Sequence, residues 1–125
     1  MKINVHRTGD HDLSIDSKDG ISFGLRCAKS VVIEPRTTEA VETGFCWEIP
    51  TGYFGLVQHN PTLTNLEFIF LNGSSLPHNP DYPVGVYLFN STRKPYKVNY
   101  SNLIGFLTIV PHPFVEVNVR GDSLL

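Results

Sequence analysis

No apolar run in this 125-residue chain approaches the ~20 residues that a membrane-crossing helix needs, so direct insertion into a bilayer is not expected. Positive charge is equally scarce. Ten Lys and Arg stand against twelve Asp and Glu and form no stripe, which leaves no basic footprint for nucleic acid. The start, Met1-Lys-Ile-Asn-Val-His-Arg-Thr8, lacks the apolar centre of a secretory signal. The expectation is therefore a cytosolic chain, in which the sequons at Asn72, Asn90 and Asn99 and the tripeptide Arg120-Gly121-Asp122 have no enzyme or receptor to meet. Only two cysteines occur, Cys27 and Cys46, without metal-type spacing, and in a reducing compartment both are expected as buried hydrophobes. Helix-length intervals are missing too. The longest stretch free of Gly and Pro is Thr62–Asn72, rich in β-branched and aromatic residues, so there is room for one short helix at most.

What is present is strand signal. Phe45, Trp47 and Ile49 alternate with Cys46 and Glu48, Pro50-Thr51-Gly52 offers a turn, and Tyr53, Phe54, Leu56 and Val57 resume the extended pattern. This predicts strands Ala40–Ile49 and Tyr53–Gln58 paired as a hairpin about which the chain is organised, with Gly55 leaving room for close approach. Further strands are predicted at Lys2–His6, Ile21–Leu25, Ser30–Ile33, Leu66–Leu71, Val84–Phe89, Lys97–Tyr100 and Phe114–Val119. Leu103–Val110, nearly all apolar, is expected to be buried on both faces. The pattern is an all-β domain of short strands, a sandwich or barrel spanning 1–119, followed by a flexible tail at 120–125.

Two polar features carry no visible chemistry. The segment Asp10–Gly20 gathers Asp10, His11, Asp12, Asp16 and Asp19, but its spacing matches no calcium or zinc loop and it reads as a solvated acidic loop. His59, His78 and His112 sit beside Pro or Asn in turn-like sequence and read as surface histidines.

Thr43-Gly44-Phe45, with Glu48-Ile-Pro-Thr-Gly-Tyr-Phe-Gly55, resembles the structural "TG…P.GYxG" segment of the trimeric dUTPase fold, a β-barrel or jelly-roll of short strands. The resemblance runs from about Ile21 to Val119 and implies a family that splits a nucleoside triphosphate between its α and β phosphates. Mg²⁺ and Arg and Ser groups hold the phosphates there, and an Asp activates water. Residue by residue, the catalytic motifs depart. Gly24 stands where the first motif "SAGYDL" has its acid, and Asn60 and Pro61 stand where the second, "RSGLA", has its arginine and phosphate-binding serine. The third motif is matched at its end by Val84-Gly-Val-Tyr-Leu-Phe-Asn90; with a short gap Asp81-Tyr82 matches "DY" and Asn79 stands at the water-activating acid, and without the gap Pro77 does. In the fourth, "GDRIAQL", Asn102 replaces a charged residue and Phe106 the glutamine. The fifth, a glycine-rich lid, is met only by Arg120-Gly121. These departures imply a vestigial nucleotide pocket with no catalytic residue, no metal and no cofactor.

The departures resemble a non-catalytic branch of the same superfamily, the proteins of the first open reading frame of adenovirus early region four. The shared features are Ile49-Pro-Thr-Gly-Tyr-Phe-Gly55, Leu88-Phe-Asn-Ser-Thr92, a strand at Gly105 and a strand after Pro113. That resemblance implies a homotrimer in the host-cell cytoplasm that binds PDZ-domain scaffold and polarity proteins and promotes phosphoinositide 3-kinase signalling. The residues concerned are Asp122-Ser123-Leu124-Leu125, a class I pattern in which Leu125 fills an apolar pocket, its carboxylate meets backbone N–H groups and Ser123 bonds a polar side chain. Two other readings stand beside it. One is a divergent dUTP diphosphatase using Asp81, Tyr82 and Glu67 with Mg²⁺; the other is a binding module anchored by Tyr82, Tyr87, Tyr96 or Tyr100.

Overall fold

The computed structural model of the chain describes residues 1–60, 68–70, 75–76, 84–111, 113 and 115–121. Among these residues every regular element is a strand: β1 Val5–Arg7, β2 Ser22–Arg26, β3 Val31–Ile33, β4 Thr38–Glu42, β5 Phe45–Trp47, β6 Tyr53–His59, β7 Phe68–Phe70, β8 Ser75–Leu76, β9 Gly85–Asn90, β10 Tyr96–Val98 and β11 Leu103–Pro111. A four-stranded sheet, β2-β11-β6-β8, and a three-stranded sheet, β4-β9-β7, are joined by the two-stranded ribbons β1-β5 and β3-β10. Leu25, Val57 and Leu107 of the first sheet and Val41, Val86 and Leu88 of the second belong to one buried cluster, so the two sheets share a core.

The spine is β11 against β6, antiparallel from Gly105 opposite His59 to Pro111 opposite Tyr53. Gly55 behaves as its lack of a side chain suggests: a Cβ there would lie 2.7 Å from Leu107 Cδ1. The apolar run of β11 does not, however, bury both faces. Ile104 and Leu107 are fully buried while Phe106 and Thr108 are only partly so, because no layer of secondary structure among the described residues covers the outer face. Cys27 and Cys46 are buried, as expected.

The predicted hairpin does not form. Ala40–Ile49 is broken at Gly44, which adopts φ 78° and redirects the chain between β4 and β5. β5 then pairs with β1, with Cys46 opposite His6, and β6 pairs with β11 and β8. The local signal specified extended chain but could not specify its partner. The turn after Pro50 is real: Tyr53 N–H donates to Pro50 C=O at 3.1 Å and Gly52 has φ 89°, so Pro50 opens the turn rather than filling its second position. His11 also has a structural task. Its Nε2 lies 2.9 Å from Gly44 O, and its ring meets Phe45 edge-on at 5.1 Å.

Phe114–Val119 is a second correction. Its described residues form no strand, and Val115, Val117 and Val119 are 69, 79 and 83% exposed. Alternation marks a chain able to pair on either edge, but no strand of this chain offers it one among the described residues.

Candidate functional site

A cleft of about 560 Å³ opens on the outer face of the four-stranded sheet, between β2, β11 and the segment Asp16–Asp19. Its floor is Leu103 and Phe106, its rim Asp16, Lys18, Asp19 and Arg26. The register makes Gly24 the direct partner of Phe106 across β2 and β11. Gly24 matters here for its bareness, since a Cβ would come within 3.1 Å of Leu103 Cδ1, on the cleft floor. Its N–H donates to Asp16 C=O at 2.9 Å, pulling the acidic segment over the sheet.

The rim is held by its own polar groups. Arg26 donates from Nη1 to Ser101 O at 3.0 Å and pairs through Nη2 with Asp16 Oδ2 at 3.5 Å. Asp19 Oδ1 accepts from the N–H groups of Ile21 and Ser22, both at 2.8 Å, closing a tight turn that Ser17 completes by donating its hydroxyl to Ser22 O. The Ser22 and Ile21 amides hold the Asp19 carboxyl below its ordinary value of 3.8. This anchoring is therefore fully present above the unfolded value and fades as pH falls through the lower folded one. An NMR titration from about pH 5 to pH 2 is expected to show the Ile21 and Ser22 amides losing protection only in acid. Unchanged amides over that range would contradict this role.

Of the residues singled out in the sequence, Gly24 and Phe106 meet in the cleft, and Asn60 and Asn102 lie at the same end of the sheet without lining it. Asn60 Nδ2 donates to Leu103 O at 2.8 Å. Asn102 shapes the turn before β11: its Oδ1 accepts from Asn99 N–H at 3.0 Å and its C=O from Cys27 N–H at 2.8 Å. Pro61, Asn79, Asp81 and Tyr82, the tail Asp122–Leu125, the alternative acid Glu67 and His78 and His112 lie outside the described residues. Arg26, Lys18 and the Asp16–Asp19 rim were missed. Their signal was Ser17-Lys-Asp-Gly20 as a turn, which would have placed the acidic loop beside β2. Of the aromatic anchors, Tyr87 is 48% exposed on β9, while the Tyr100 hydroxyl donates to Asp12 Oδ1 at 2.6 Å.

No protein-family model matches the sequence. The three-dimensional likeness is strong. A variant of the dUTPase of phage phi11 of S. aureus, studied for its structural Mg(II) ion, superposes with TM-score 0.86 at 15% identity, covering 100% of both chains. The dUTPase of Staphylococcus bacteriophage 80alpha with dUPNHPP gives 0.85 at 15% identity, over 99% of this chain and 90% of that one. A variant of the phage 80alpha enzyme gives 0.84 at 15% identity, over 99% and 92%. At such identities the likeness speaks for architecture, and the chain has the dUTPase fold.

Proposed function

We propose that this chain is a non-enzymatic early viral protein of the adenovirus type, which uses a dUTPase-fold scaffold to present a PDZ ligand to host scaffold and polarity proteins and so promotes phosphoinositide 3-kinase signalling. The observation that supports this most is the occupancy of the cleft. Gly24 and Phe106 face each other where the resemblance expects an acid and a glutamine. Asn60, at the expected arginine, turns its amide to Leu103 O. A nucleotide's phosphates need converging cations or N–H donors, and cleavage needs a base beside water.

The carboxy-terminal side supports presentation. Glu116–Gly121 is exposed throughout, so the chain has already left the core before it reaches Asp122. Ser123 and Leu125, provided the carboxylate after Leu125 is free, would add as a strand to a PDZ sheet edge. The exposed, alternating Val115, Val117 and Val119 suit a neighbouring copy's edge, which fits a homotrimer displaying three tails.

Two assays on one preparation test the reading. With dUTP and Mg²⁺, pyrophosphate release is expected at background, since loss of a general base alone costs ~10²–10⁴ in rate. In a pull-down with PDZ domains, deleting Leu125 is expected to abolish capture. Retention of binding without Leu125, or sedimentation as a monomer only, counts against the tail and the trimer respectively.

A divergent dUTP diphosphatase is the second reading, favoured by the charged rim of Asp16, Lys18, Asp19 and Arg26 around the cleft. It would bring in Mg²⁺ to offset the triphosphate. Among the described residues no three His, Cys, Asp or Glu gather to hold an ion. Pyrophosphate release that disappears in Asp16→Asn would establish this reading in place of the first.

A further inference from the structure

The turn that carries the rim of the outer cleft holds the chain's single Asp-Gly pair, Asp19-Gly20. This is the pairing at which a peptide bond rearranges most readily. The amide nitrogen after an aspartate can close a five-membered ring on the side-chain carboxyl, and glycine adds no side chain to obstruct it. Crowding gives no protection here. Both residues are exposed, Gly20 adopts φ 73°, and a Cβ built on it would meet nothing within 4 Å.

The restraint on this pair is polar. Ring closure needs the Gly20 nitrogen to shed its proton as it attacks Asp19 Cγ, and needs a carboxyl oxygen to leave. Gly20 N–H donates to Ser17 Oγ at 2.8 Å, and that hydroxyl in turn donates to Ser22 O at 2.7 Å. A hydroxyl accepts this hydrogen bond but is no base at neutral pH, so the proton stays where it is. Asp19 Oδ1 accepts the N–H groups of Ile21 and Ser22, both at 2.8 Å. Those bonds favour the carboxylate and hold its pKa down, whereas only the protonated acid can expel its oxygen as water. Ser17 thus occupies the nucleophile while two amides occupy the electrophile.

We propose that Asp19-Gly20 is a latent isomerisation site, kept dormant by Ser17, at which the chain forms isoaspartate once this turn opens. The chemistry needs only water. Gly20 N bonds to Asp19 Cγ, the amide hydrogen and the carboxyl OH depart as one water, and a succinimide remains. Water then adds to either ring carbonyl. Addition at Cγ restores aspartate. Addition at the main-chain carbonyl carbon of Asp19 leaves Gly20 N on Cγ, which is isoaspartate, with its free carboxylate on Cα. The backbone gains a methylene, and the oxygen that anchored the Ile21 and Ser22 amides becomes a peptide carbonyl. β2 begins at Ser22, so the change falls on the edge of the outer cleft. The inference rests on neither reading of that cleft's function.

The full chain and its Ser17→Ala and Ser17→Thr variants, incubated at neutral pH with and without urea, provide the test. Peptide mapping locates the isoaspartate and separates residue 19 from Asn72-Gly73, the other Asx-Gly pair. In the native parent, isoaspartate at 19 is expected to form more slowly than in urea by about tenfold or more. Ser17→Ala, at an exposed position, should speed the native reaction about fivefold with an unchanged circular dichroism spectrum. Ser17→Thr keeps the hydroxyl and should retain the parental rate, and in urea all three chains should react alike. Equal rates in the native and unfolded parent, no acceleration in Ser17→Ala, or equal acceleration in both variants would overturn the proposal. So would a residue 19 that stays unmodified in urea.

Discussion

Replacing Asn90 by aspartate is expected to cost the fold about 3–5 kcal/mol at neutral pH, a large share of a domain's usual stability. Asn90 closes β9 with its side chain fully buried, at 0% exposure. Its Nδ2 donates to Ile33 O at 2.9 Å and Lys94 O at 2.7 Å, while Oδ1 accepts from Thr92 N at 2.9 Å and Thr92 Oγ1 at 2.7 Å. One amide thus ties β9 to β3 and to the turn leading into β10. Aspartate has the same shape but puts an acceptor oxygen where two carbonyls need a donor, and adds a buried charge without a cation. Burial and the two carbonyls raise the folded pKa of this aspartate above the unfolded value of about 3.9. The penalty is therefore greatest above the folded pKa and shrinks as pH falls towards the unfolded value. Urea midpoints for the variant and the parent at about pH 7 and pH 4.5 should draw together in acid. Equal midpoints at neutral pH, or a gap that ignores pH, would contradict the account. Asn90→Ala should lose about 2–3 kcal/mol with no such pH dependence, because it removes the amide without adding a titratable group. The same burial puts the amide of the sequon Asn90-Ser-Thr92 out of reach in the folded chain.

Gly105→Ala should lose about 2–3 kcal/mol for a different reason. A Cβ at this position would lie 2.6 Å from the carbonyl oxygen of Gln58, which is backbone of the neighbouring strand β6. A side chain in the way can rotate; a strand locked into seven successive partners cannot shift alone. The register against β2 also shifts between Leu103 and Gly105, so the methyl would fall where the sheet is already irregular. Gly121→Ala, with nothing within 4 Å of the added atom, is the control and should stay within about 0.5 kcal/mol of the parent. Thermal or urea denaturation of the two variants decides the matter, and equal stabilities would remove the steric argument.

Much of this architecture was legible in the residues, and the failures share one cause. β2, β3, β9 and β11 fall within a residue or two of where alternation and turn residues put them, because those signals are local. Pairing is not local. Trp47 and Tyr53 read as two arms of one hairpin, yet β5 found β1, about forty residues away in sequence, once Gly44 and the Pro50 turn had rotated the chain. Val115, Val117 and Val119 read as a strand because alternation reports what a chain can bury, not whether a partner is present. At the outer cleft, Gly24 and Phe106 were found through resemblance and do meet. Arg26 was not found, because the turn signal of Ser17-Lys-Asp-Gly20, which brings Asp16 back beside β2, was passed over as part of a solvated acidic loop.

The two thiols sit at different depths of the structure's cooperativity. Cys46 lies on a ribbon held by three residue pairs, while Cys27, 0% exposed, joins β2 to the turn before β11 and has its thiol pKa raised by burial. Alkylation by a slow, neutral reagent thus becomes a two-channel clock: the first channel ticks when the amino-terminal ribbon frays, the second only when the four-stranded sheet lets go.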